Sequence, residues 1–153
     1  MKRIAILFLL FLPACTQYQT RSFEIAVKNE TARPIAIGLV KNGPPQEEGW
    51  IAPHEVAIMA PQLADRKWGL VILPGEGKTM GPYSGKFDAG TQAILRIYAG
   101  TPTIDEMVAY SKDDPDRLDI YLWPGRNAYV IRSGSGRLEY RVADLATGGG
   151  AAK

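Results

Sequence analysis

Phe23-Glu24-Ile25-Ala26-Val27 alternates large apolar residues with smaller or charged ones. Successive side chains of an extended strand point to opposite faces, so a period of two puts Phe23, Ile25 and Val27 on one face. Ile35, Ile37 and Leu39 repeat the pattern. An amphipathic helix would instead bring apolar residues back every three or four positions. Gln92 to Tyr98, Leu118 to Trp123, Ala128 to Arg132 and Arg137 to Ala143 read as further strands, and Val56 to Ala60 as a shorter one. Trp68 to Leu73, WGLVIL, is apolar at nearly every position, as a strand buried on both faces would be. Trp50 and Trp68 read as core residues.

The joints between these runs are rich in Gly, Pro, Asn and Ser: KNGPP from Lys41, LPGEG from Leu73, MGPYSG from Met80, WPGRN from Trp123 and SGSG from Ser133. Such residues supply turn conformations. The expectation is an all-β domain over residues 23–145. It is a single β-sandwich or partly open barrel of about seven or eight short, mostly antiparallel strands. The last three strands are closely spaced and predict a meander. One short helix near 103–111 breaks the pattern. Thr103-Ile104-Asp105-Glu106 has capping-box spacing, and Ile104, Met107 and Val108 fall on one face. The helix is expected to cover an open end of the sandwich, and the Asp113-Asp114-Pro115-Asp116 run to end it.

The chain opens MKRIAILFLLFLPAC. Lys2 and Arg3 precede an unbroken apolar run from Ile4 to Leu12. A basic head and a short apolar core describe a secretory signal peptide. A membrane-spanning helix needs about 20 apolar residues. Leu12-Pro13-Ala14-Cys15 resembles the lipobox of bacterial lipoproteins. That resemblance implies removal of residues 1–14 and a diacylglycerol thioether on Cys15. It also implies acylation, typically with palmitate, of the new amino terminus. The partner of this anchor is the membrane of the cell envelope. Thr16 in place of Asp after the cysteine favours, in enteric-type sorting, the periplasmic face of the outer membrane. Two or more acyl chains hold firmly where one is marginal. Residues 15–22 then form a lipidated cysteine and polar tether. The segment from Thr16 to Ser22 reaches roughly 25 Å at ~3.5 Å per residue. Residues 146–153, rich in Gly and Ala, read as a disordered tail.

Cys15 is the only cysteine. With lipid on it the domain has no thiol for a disulfide, and its stability must come from its core. The chain carries 18 basic and 16 acidic residues, and losing Lys2 and Arg3 leaves it formally neutral. No Lys/Arg block marks a nucleic-acid footprint.

Candidate chemistry is sparse. Gly77-Lys78-Thr79 resembles the end of a P-loop, but the position of its first glycine is Ile72, and Gly81-Pro82 forbids a helix start. The stretch reads as a turn. His54 is the only histidine. A hydrolase could use it as a base, yet no Gly-x-Ser-x-Gly elbow accompanies it. It reads as a loop residue. One histidine and one cysteine exclude a blue-copper site and leave no zinc set. Asp113, Asp114, Asp116 and Asp119 match no calcium loop. No metal or cofactor is expected. Asn29-Glu30-Thr31 is a formal glycosylation sequon that reads more simply as a turn.

The aromatic placement is the most informative feature left. If Leu118, Ile120 and Leu122 face the core, Tyr121 and Trp123 point outward, with Arg126 just past the turn. Such a pair suits stacking on sugar rings or a protein hot spot. The favoured function is a non-catalytic envelope protein whose domain binds or supports another protein. The alternatives are a glycan- or peptidoglycan-binding module using Tyr121, Trp123 and Arg126, and a hydrolase using His54.

Overall fold

The computed structural model describes residues 18–42, 50 and 52–144. The signal-peptide segment, Cys15 and the 146–153 tail lie outside the described residues. Among them run eight strands and two short α-helices: β1 (Gln19–Asn29), β2 (Ile35–Asn42), α1 (Pro53–Met59), β3 (Leu70–Ile72), β4 (Gly77–Phe87), β5 (Gln92–Ala99), α2 (Ile104–Ala109), β6 (Arg117–Tyr121), β7 (Gly125–Gly134) and β8 (Arg137–Val142). They form two four-stranded sheets, ordered β4-β1-β7-β8 and β3-β2-β5-β6. This is the expected β-sandwich. Every pairing is antiparallel except β1 with β7, which run parallel from Phe23↔Gly125 to Asn29↔Ile131.

The period-two reading holds where it was clearest. Phe23, Ile25 and Val27 on β1 and Ile35 and Ile37 on β2 are all buried between the sheets. Leu95, Ile97, Ile120 and Ile131 meet them there. Phe23, Trp50 and Phe87 pack edge to face, with ring centroids 5.5–5.7 Å apart.

Five expectations are corrected. The stretch from Val56 to Met59 belongs to a helix, α1, and Ala60 is its C-cap. Pro53 presets the first-turn φ, and the Glu55 carboxylate accepts the Ala52 N–H at 2.8 Å. Trp68 to Leu73 is not a strand buried on both faces; only Leu70–Ile72 is strand, at a sheet edge. MGPYSG is not a joint but the middle of β4, the eleven-residue edge strand that also holds Gly77, Lys78 and Thr79. There Gly81 (φ +97°) and Pro82 stand opposite Glu24 alone, a bulge inside the ladder. The last three strands are no meander, because β6 belongs to one sheet and the β7–β8 hairpin to the other.

The fifth correction concerns α2. Thr103 and Glu106 close the capping box as expected. The helix, however, lies on the outer face of the β3-β2-β5-β6 sheet and not over an end. There Met107 packs with Ala36 and Tyr98, while Ala52, just before α1, packs with Val40 and Ile94. Trp68 touches both groups, half-buried, and its ring lies over Gly38. A Cβ at Gly38 would land inside that ring.

β1 begins at Gln19, within the stretch read as tether. The Asn29 side chain is fully buried. Its Nδ2 donates to Arg33 O (2.8 Å) and Ile72 O (3.0 Å), and its Oδ1 accepts Thr31 N–H (2.9 Å). It therefore fixes the β1–β2 turn and cannot present a glycan acceptor. Asn29→Ala leaves two carbonyls and one N–H without this partner. The expected cost is about 2–4 kcal/mol, read as a lower urea midpoint at unchanged slope.

Candidate docking surface

β6 is the outermost strand of its sheet. Ile120 and Leu122 are buried, while Tyr121 is 45% and Trp123 78% exposed. The alternation expected from the sequence thus continues through Trp123. The loop after it is tied down from inside. Asn127, itself buried, accepts Trp123 N–H (3.3 Å) and donates to Trp123 O (2.9 Å) and Gly125 O (3.1 Å). The Tyr129 hydroxyl donates to the same Asn127 Oδ1 at 3.1 Å. Burial pushes the Tyr129 pKa up, and Tyr140 adds to it, so the hydroxyl keeps the proton it donates. Trp123 is therefore an exposed indole on a held backbone.

Arg126 does not join it. Its register partner on β1 is Glu24, with which it pairs at 3.3 Å. Glu24 alternates with the core residues Phe23 and Ile25, so the pair sits on the outer face of the other sheet. The two aromatics are both exposed, two residues apart along the chain; the arginine turns away.

Two residues passed over in the sequence complete the surface. Tyr140 and Val142 share a face of β8 with buried Leu138, and are paired with Ile131 and Tyr129 of the core. They point inward, yet are 45% and 70% exposed. Tyr140 meets Tyr129 edge to face at 5.6 Å. The alternation of Leu138, Tyr140 and Val142 with Arg137, Glu139 and Arg141 was visible in the sequence. Their exposure was not, because it depends on where the facing sheet stops. Exposed apolar surface thus forms a seam on the β6–β8 side of the sandwich, and Trp123 follows β6 in the chain.

On the outer face of β5 and β6 a charged cluster is nearly closed off. Arg96 grips Asp119 through Nε (2.8 Å) and Nη2 (2.9 Å), and Arg117 adds Nη2 at 2.8 Å. Burial alone would raise the Asp119 pKa, but hydrogen bonds and charge from both arginines outweigh it and hold the carboxyl below the usual range. His54 lies exposed in the first turn of α1, beside a groove of about 190 Å³ with Arg96, Tyr98, Tyr110 and Arg117. The lining holds no serine and no carboxylate, so the constellation a hydrolase needs is not assembled around His54. Asp116 pairs with Arg33, and Asp114 accepts the Asp116 N–H. Among the described residues no three His, Cys, Asp or Glu converge as a metal set, and no helix is long and apolar enough to cross a membrane. On the β3–β4 side an apolar cleft of about 370 Å³ reaches Trp50, Leu70 and Met80, and Tyr83 is its one titratable group.

No family model matches this chain, and no curated protein does. Among solved structures it is similar to the T6SS lipoprotein TssJ1 from Pseudomonas aeruginosa, at 12% identity over 83% of this chain and 99% of that one. The TM-score is 0.39, and a likeness at that level assigns no function.

Proposed function

We propose that this chain is an exported, lipid-anchored envelope protein whose non-catalytic sandwich docks a partner protein at the β6–β8 seam. One observation carries the docking reading. Two inward-facing apolar side chains, Tyr140 and Val142, stay partly exposed, and the Trp123 indole is exposed on a backbone locked by Asn127. Rigid, exposed aromatics next to an apolar recess are what protein hot spots use. The anchor reading is supported by Leu12-Pro13-Ala14-Cys15 behind its apolar run. It places the domain against an envelope membrane, with the periplasmic face of the outer membrane favoured by Thr16 in a Gram-negative host.

The docking test is a photoreactive residue at position 123 of the full chain, activated in the intact envelope. A discrete protein adduct is expected; irradiation that yields none would remove the reading. The exposed Tyr121–Trp123 pair also favours a second reading, stacking on glycan. Cosedimentation with purified cell-wall glycan that disappears in Trp123→Ala would shift the function there. The anchor has its own outcome. Cys15→Ser is expected to abolish incorporation of labelled fatty acid, and continued labelling would place the lipid on another residue.

A further inference from the structure

Among the described residues no strand pairs with the outer edge of β6, and that edge says what kind of chain fits. Leu122 N–H donates to Ala93 O (2.9 Å), and Asp116 O accepts Ala99 N–H (2.8 Å). Residues of an antiparallel pair alternate between bonding their neighbour and facing away from it. With Leu95↔Ile120 and Ile97↔Leu118 in register, Leu118 and Ile120 bond β5, while Asp119 and Tyr121 turn their N–H and C=O outward. Arg117 N–H is already taken by Asp114 O. Asp119 and Tyr121 thus offer two donors and two acceptors at the free edge of β6. Across the sandwich, Tyr140 and Val142 face inward, yet among the described residues they are left 45% and 70% exposed.

From this we infer that the partner docks by β-augmentation: an extended segment pairs with β6 as a fifth strand of its sheet. The inference rests on the docking reading above. A strand in that place satisfies the Asp119 and Tyr121 backbone groups and lays every second side chain over Tyr140 and Val142. Those inward positions must be apolar. The outward positions lie beside Arg117, Asp119 and Tyr121 of β6, with Arg96 one strand further in on β5. A helix spends its own N–H and C=O groups internally and cannot pair with this edge.

Amide hydrogen exchange of the full chain tests it, compared between the native envelope and vesicles of extracted envelope lipid containing the purified chain alone. The Asp119 and Tyr121 amides are expected to exchange at least ~10-fold more slowly in the native envelope. Tyr121→Pro provides a second arm. Its lost N–H faces away from β5, so the sheet should tolerate it, as edges tolerate proline. The adduct formed from position 123 is expected to drop in Tyr121→Pro and persist in Tyr121→Ala. If Tyr121→Pro fails to fold, the wild-type exchange comparison decides alone. An adduct at position 123 with unchanged exchange at Asp119 and Tyr121 overturns strand pairing and leaves docking standing. No adduct and no slowing overturns both.

Discussion

Asp119→Ala is expected to cost the domain about 3–5 kcal/mol, the usual penalty for removing one member of a buried ionic cluster. Small domains are stable by only about 5–15 kcal/mol, so this variant stands near the threshold of folding. The reason is what remains. Arg96 and Arg117 are both largely buried, with about a tenth of each side chain exposed. Asp119 is the carboxylate between them. Without it, two guanidinium groups face each other under the helical layer with no countercharge. Asp119→Asn keeps the shape and some hydrogen bonds but not the charge, and should fall between wild type and Asp119→Ala. A joint replacement of Arg96 and Asp119 by leucine removes the bidentate pair together and should recover part of the loss. Urea unfolding at neutral pH ranks the three. Asp119→Ala with an unchanged midpoint would show that water reaches the arginines and screens them.

The same carboxylate sets an acid limb to stability. Its folded pKa is lowered despite burial, because Arg96 and Arg117 stabilise the ionised form. A carboxyl whose pKa is lower folded than unfolded stabilises the fold above its unfolded value, near 3.9. That contribution fades as pH falls through the unfolded value and is gone below the folded one. Wild type should therefore lose stability from about pH 4 downward more steeply than Asp119→Asn does.

How much of this was legible in the chain depends on whether an element is defined by its own residues or by its neighbours. β1 was legible because Phe23, Ile25 and Val27 bury one face and leave the other polar. α2 was legible because Thr103 and Glu106 satisfy each other locally. Trp123 was legible as outward-facing because Ile120 and Leu122 fix the phase of β6. β4 was hidden, because Gly81 and Pro82 signal a turn in isolation, and only pairing with β1 turns them into a bulge. α1 was hidden because Val56 and Ile58 mimic a strand in so short a run, while Pro53 and Glu55 decide for helix. The pairing of Arg126 with Glu24 and the exposure of Tyr140 and Val142 arise between segments about a hundred residues apart, or across the two sheets. No local pattern encodes them.

Trp123→Ala separates docking from folding, and its effect on docking is expected to be large. The indole is mostly in solvent, and the loop is held by Asn127 through backbone groups that alanine retains. Removing it should change stability by no more than about 0.5 kcal/mol. Anchors of this kind typically contribute about 2–4 kcal/mol to an interface, or roughly 30- to 1,000-fold in affinity. The free protein leaves the ring exposed, so its burial is realised only when a partner covers it. Asn127→Ala should act differently. It loosens the loop and strips the Tyr129 hydroxyl of its acceptor, so it should cost about 1–3 kcal/mol of stability and weaken docking through disorder of the indole. Partner retention by the full chain, measured beside urea midpoints for both variants, distinguishes the two effects. If Trp123→Ala retains the partner as wild type does, the indole is not the anchor, and docking through Trp123 fails. If it loses the partner at an unchanged midpoint, the ring is exposed for contact, and the partner is held through it.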